Sequence, residues 1–479
     1  MKARSLAVDL VAALTCLGGS WSCGRTESSS DRTRQAAATQ IGPARSDRSG
    51  KGEHDASKGE CSPIAVKRKD YFLHVVSTLP GSFGQRAKLD IHRVSPIYEH
   101  GWCTHPDDGA THAVILVHGA GTDAVTTFDL QYPKAPDVLH PESDEERGRN
   151  SKGYEYSLME SLARAGVETF AVNLLGYGFS TRFELDDPCS TSLSEQARLL
   201  VPNPLENGVC AHAPDSAHFT NTDAARDQLA VVVNHVLEEL DVEKVSFFAW
   251  SRGGNSVGAY TSRDPSKVES LVLLASEFEL AGNPQPFALL VANRADSFVN
   301  WDTQLARDLA GNDRKQELNC PGERDLTMNP ETGAPAILDA IWASGRTRDP
   351  LGSTWGPSPE KPSGGVRRAP TATLSGWDAL AASKIQVPTL IMSGKFDNQN
   401  PTARQLRIYN SLASSSRVLI KIDCATHFAL WEGSTGSPWK GPHATVHDAA
   451  IQWITSKTFT RAEKGIFSVS SAGAVTRDE

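Results

Sequence analysis

The 479-residue chain has no apolar run of about eighteen residues or more, so no internal transmembrane helix is expected. Basic clusters are just as scarce. Beyond Lys67-Arg68-Lys69 none stands out, and the formal net charge is −9. Nucleic acid and anionic membrane surfaces are poor partners for such a surface. CxxC is absent and no cysteine spacing matches a zinc site. No motif implies a metal or an organic cofactor.

What is present begins with an export-like leader. Lys2 and Arg4 precede a mostly apolar stretch from Leu6 to Leu17, interrupted by Asp9. Residues 1–23 therefore read as a signal peptide, and residues 24–62, rich in Ser, Arg, Lys, Gly and Asp, as a disordered linker. The layout resembles a bacterial lipoprotein, which would make Cys23 a lipid-bearing residue and the sole membrane tether; Ser20 and Trp21 fit that pattern poorly. A disordered cytoplasmic extension is the alternative. Without Cys16 and Cys23 six cysteines remain, an even number that in an exported chain suggests disulfides. Cys189 with Cys210 is the preferred pair, its closure contributing roughly 3 kcal/mol. Cys61 with Cys103 is a weaker pairing, and buried free thiols are the other reading.

Strands are expected at Tyr71–Leu79 and Ala87–Val94 as an antiparallel pair, then at Ala113–Val117, Val167–Val172, Val245–Trp250, Val268–Leu274, Val387–Met392 and, last, Arg417–Ile422. Helices are expected at Tyr156–Gly166, Asp223–Leu240, Thr402–Ser411 and, closing the chain, Ala444–Thr455. The alternation implies an α/β fold with a mostly parallel central sheet flanked by helices. Between the sixth and seventh strands the character changes, with candidate helices at Pro286–Arg294, Thr303–Leu309 and Pro335–Ala343. Such a length is too great for a structureless loop. It reads as a largely helical cap or lid over residues 278–377, dividing the core into 63–277 and 378–479. Phe287, Phe298, Trp301 and Trp342 either line a pocket beneath that cap or form its own core.

Glu243–Tyr260 carries the chemistry. A buried strand ending at Trp250 passes abruptly through Ser251 into a small-residue helix. A serine on so sharp a turn needs small neighbours two residues away, and Ala249 and Gly253 supply them. Ala249-Trp250-Ser251-Arg252-Gly253 resembles the nucleophile elbow of the α/β-hydrolase superfamily, of the serine esterase or lipase kind, with Ala249 where glycine is more usual. His118-Gly119-Ala120-Gly121 after an apolar strand resembles that family's oxyanion-hole loop. Asn173-Leu174-Leu175-Gly176-Tyr177-Gly178-Phe179-Ser180 resembles its Asp-x-x-Gly-x-Gly-x-Ser turn, with Asn173 for the aspartate. Asp397, three residues after Gly394, and His427, just past a strand, resemble its acid and histidine loops.

The resemblance implies a Ser251–His427–Asp397 triad, with the N–H groups of Ala120 and Arg252 as oxyanion donors. Alternatives stay open at each position. Asp397 could serve only as a helix cap, Glu277 is a rival acid, and His443 and His447 are rival bases. The implied activity is secreted or surface-anchored hydrolysis of a small-molecule or lipid-like carboxylic ester. The same triad could serve an acyltransferase, a peptidase or a lactonase. A non-catalytic binding protein on the fold is a further alternative.

Overall fold

The computed structural model describes residues 62–77, 83–98, 112–132, 155–191, 196, 205, 210, 220–279, 289–298, 320, 323–324, 336–371, 374–434 and 439–478. The leader, the linker and Cys23 lie outside these residues.

The chain opens with β1 (Ala65–Val76) and β2 (Arg86–Ile97), paired antiparallel over their whole length. Both exceed the expected strands. Lys67–Asp70 reads as a polar cluster in sequence, yet it continues β1, and Arg68 turns inward to ion-pair with Asp129 and Glu160. Next come β3 (Ala113–Val117), α1 (Ala124–Phe128), α2 (Leu158–Arg164) and β4 (Glu168–Asn173). Both short helices start on a side-chain cap: Asp123 accepts the Thr126 N–H and Ser157 the Glu160 N–H. Then follow α3 (Thr222–Leu240), β5 (Val245–Trp250), α4 (Arg252–Thr261) and β6 (Val268–Leu274). α3 buries Leu229, Val232, Val233 and Val236 along one face, each contributing roughly 1.5–3 kcal/mol.

Between β6 and the next strand of the main sheet lie β7 (Leu289–Ala292), β8 (Glu323–Arg324), α5 (Ile337–Arg348), β9 (Arg367–Pro370) and α6 (Ala379–Ala382). The helix expected over Pro286–Arg294 does not form at Leu289–Ala292. Leu289–Ala292 is a strand paired antiparallel with β9, a partner more than seventy residues away that no local pattern reveals. Phe298 and Trp342 are buried core residues; Thr303–Leu309, Phe287 and Trp301 lie outside the described residues.

The chain ends with β10 (Thr389–Gly394), α7 (Thr402–Ser411), β11 (Arg417–Ile422), β12 (Gly433–Ser434), α8 (Pro442–Ser456), β13 (Lys464–Val469) and β14 (Val475–Arg477). Arg417–Ile422 is thus not the last strand: after α8 the chain adds β13 parallel to it. Among the described residues the main sheet has ten strands in the order β1-β2-β4-β3-β5-β6-β10-β11-β13-β14. The interior from β4 to β13 is parallel, and antiparallel strands close both edges. Helices must cover both faces of such a sheet. Alternation along β5 accordingly sends Phe248 and Trp250 into one core and Phe247 and Ala249 into the other.

Two disulfides form among the described residues. Cys189–Cys210 is the expected pair. Cys320–Cys424 was not expected; it ties the segment before α5 to the turn after β11. Cys61 and Cys103 lie outside the described residues.

Candidate active site

Strand β5 ends at Trp250, and the backbone reverses at Ser251 with φ 55° and ψ −120°, a conformation costing a non-glycine residue about 1–3 kcal/mol. Surrounding backbone holds it there. The Ser251 N–H donates to Leu274 O at 2.9 Å, and Ser251 O accepts the N–H groups of Glu277 and Gly254, each at 3.0 Å. Gly253 can approach β3 only because it lacks a Cβ, which would stand 2.2 Å from Val117 O. Ala249, fully buried, pairs with Val117 on one side and Leu273 on the other.

Because β3, β5, β10 and β11 run parallel, the residues just past their ends gather at one edge of the sheet. His427 Nε2 lies 3.0 Å from Ser251 Oγ, and its Nδ1 lies 2.9 Å from Asp397 Oδ2. All three residues are buried. Asp397 Oδ1 accepts the N–H groups of Gln399 and Asn400 at 2.9 and 2.8 Å, which orients the carboxylate without drawing Oδ2 away from the imidazole. Glu277, the rival acid, is close by but makes no hydrogen bond to His427; its Oε2 is buried without a partner and burial raises its pKa. His443 and His447 both lie on α8, where His443 bonds Glu432 O and His447 bonds Ser161.

The His118–Gly121 loop lies alongside. A Cβ on Gly119 would stand 2.9 Å from the Trp250 ring and 3.1 Å from Ser251 Cβ. His118 does not point at the serine. Its Nδ1 donates to Gly119 O at 2.7 Å and its Nε2 accepts the Leu174 N–H at 3.3 Å, partners that fix one neutral tautomer. Burial drives its pKa down to about 4. Arg252 is the first residue of α4, so its N–H has no intrahelical acceptor. Its guanidinium bonds Tyr177 OH, Thr220 O and Pro370 O at 3.1–3.3 Å. Asn173 tightens the same corner, its Oδ1 accepting the Ala124 N–H and its Nδ2 donating to Asp90. Among the described residues no group of three or more His, Cys, Asp or Glu could hold a metal ion.

A family model for the alpha/beta hydrolase fold matches residues 112–434, more than half of the chain. The chain belongs to this family. Solved structures of similar fold include an esterase from Thermogutta terrifontis with malate bound, 14% identical, covering 80% of this chain and 98% of that one at a TM-score of 0.40. Another is a monoacylglycerol lipase from Paleococcus ferrophilus, 19% identical, covering 73% and 97% at a TM-score of 0.34. The thioesterase domain of the curacin biosynthetic pathway is 14% identical and covers 81% and 100% at a TM-score of 0.37. No curated protein matches the sequence.

Within this alpha/beta hydrolase fold the loop carrying His427 depends on residues that the sequence pattern does not single out. Trp250 Nε1 donates to His427 O at 3.0 Å. Glu432 accepts the Thr426 N–H at 2.9 Å and also its hydroxyl. Cys424, three residues before His427, carries the disulfide to Cys320. A glutamate, a tryptophan and a cysteine in these places belong to no short motif, so only the folded arrangement exposes them.

Proposed function

We propose that the protein is a serine hydrolase that cleaves carboxylic esters through Ser251, His427 and Asp397. Membership of the alpha/beta hydrolase fold family supports a hydrolase. The observation that carries the finer reading is the unbroken line Ser251 Oγ–His427–Asp397, with steps of 3.0 and 2.9 Å, on a serine held at positive φ. Serine is a weak nucleophile until a neighbouring base accepts its proton. His427 Nε2 takes that proton as Ser251 Oγ attacks the ester carbonyl, and Asp397 stabilises the imidazolium through Nδ1–H. The Ala120 and Arg252 N–H groups hold the tetrahedral oxyanion, each such donor typically contributing about 3 kcal/mol. His427 then returns the proton to the departing alkoxide. In the second half it deprotonates the water that releases the acid from the acyl-enzyme.

Residues 278–377 form the cap of this reading, deciding which acyl group reaches Ser251. The two disulfides fit an oxidising compartment and so favour export; lipidation at Cys23 belongs to the same proposal. Ser251→Ala removes the nucleophile and nothing the fold depends on. Ester turnover and covalent labelling by a fluorophosphonate are both expected to vanish, with the unfolding midpoint unchanged. Esterase activity persisting at the wild-type rate would sink the assignment.

A further inference from the structure

Arg367 and Arg368 are neighbours on β9 and project to opposite faces of that strand. Arg368 is fully engaged: it bonds Asp349, Asp186 and Leu185 O, and stacks 4.7 Å above the Trp355 ring. Arg367 is partly buried and makes neither an ion pair nor a hydrogen bond among the described residues. Asp123, the carboxylate that acts on it through space, accepts the Thr126 N–H and hydroxyl as the cap of α1 and makes no hydrogen bond or ion pair to it among the described residues. Burial lowers the guanidinium's pKa to about 10, so it stays charged at neutral pH. A desolvated, unpaired cation is costly to maintain, and a guanidinium's forked donors match a carboxylate with two parallel bonds.

Its location says what it faces. Arg367 Nη2 lies 3.5 Å from the point where a Cβ on Gly121 would stand, at the far end of the loop whose Gly119 abuts Ser251. The two glycines are at most about 7 Å apart along the chain. The pairing of β9 with β7, Arg367 opposite Ala292, holds the base of the side chain in place.

We propose that Arg367 selects esters that carry a carboxylate, seating that group beside the His118–Gly121 loop while Ser251 meets the ester carbonyl. The inference rests on the serine-hydrolase reading above and names its substrate class. Short dicarboxylic half-esters are the simplest substrates that carry a carboxylate on the acyl side of the ester carbonyl.

The test compares monomethyl succinate with methyl butyrate, followed by acid release, in the wild-type protein and in Arg367→Gln. The wild-type protein is expected to favour the half-ester in kcat/KM. The ratio of the two kcat/KM values should fall roughly tenfold to a hundredfold in the variant, as for loss of a charge-assisted bond. Arg367→Lys, which keeps the charge but not the fork, should fall between them. A wild-type preference for methyl butyrate, or a ratio that Arg367→Gln leaves unchanged, overturns the inference. If the variant fails to fold, the wild-type protein still decides: succinate should protect Ser251 from fluorophosphonate labelling where succinamide does not, and equal protection by both overturns it. A wild-type protein that is neither labelled nor active on either ester sinks the hydrolase reading itself; labelling and turnover without anion preference sink this inference alone.

Discussion

The serine and the histidine of the site are held in different ways. Ser251 is fixed by backbone: a strained turn, hydrogen bonds to Leu274 and from Glu277 and Gly254, and a glycine pressed against β3. His427 sits on a loop fixed largely by side chains drawn from elsewhere: Asp397, Trp250, Glu432 and the Cys424 bridge to Cys320, 104 residues away. The Ser251 turn is therefore recognisable in a few consecutive residues, while the strands on either side, β3 and β6, hold it through main-chain atoms. The position of His427 is written across the chain.

Removing the bridge strikes the histidine side hardest. Replacing both cysteines, Cys320→Ser with Cys424→Ser, releases a loop of about a hundred residues, and unfolding stability is expected to drop by about 4–5 kcal/mol. Turnover should fall further than the rate of fluorophosphonate capture by Ser251 at saturating reagent, since His427 must return its proton twice per cycle. Denaturant titration and steady-state kinetics on the double variant check both. An unchanged unfolding midpoint would show that side chains alone hold the histidine loop.

On the serine side the corresponding break is Gly253→Ala. The added methyl would meet the β3 carbonyl at 2.2 Å, and that carbonyl belongs to a central strand that cannot easily retreat. Overpacking of this kind costs about 3 kcal/mol. Because the displaced backbone is the turn itself, labelling of Ser251 should slow markedly even in molecules that fold. Wild-type labelling kinetics in the variant would mean that the turn tolerates bulk and that Ala249 and Gly253 are not there for space.

The same contrast explains what the sequence made legible. Strands β3, β5 and β6 are continuous apolar runs bounded by turn residues, and Ser251, Asp397 and His427 stand at strand ends where parallel topology must gather them. Elements fixed by distant partners were not readable. The run Leu289–Ala292 is equally compatible with helix or strand until β9 pairs with it. Cysteine pairing cannot be deduced from spacing, and Cys320–Cys424 shows why. β13 follows what reads as a closing helix, and only β11's open edge gives it a place. Nothing local separates Arg367 from Arg368; the difference lies in Asp349 and Asp186, which pair with Arg368 from distant parts of the chain.

A milder way to separate the two sides is pH, acting through His118. Buried in the serine-side loop, it stays neutral until about pH 4, because burial disfavours its charged form more than the Gly119 carbonyl favours it. An unfolded histidine takes up its proton near pH 6.5. Below that pH the unfolded chain binds the extra proton, so stability rises with pH in this window and is lost as pH falls from about 6.5 towards 4. Between pH 6.5 and 5 the loss attributable to His118 amounts to roughly 1.5 kcal/mol. His118→Gln keeps a donor and an acceptor but does not titrate, so its stability should decline less steeply over the same range, although it starts lower. His447, whose burial lowers its pKa to about 3, is common to both proteins and cancels in the difference. Parallel stability profiles, measured by denaturant unfolding at the two pH values, would mean that the serine-side loop accommodates the charge.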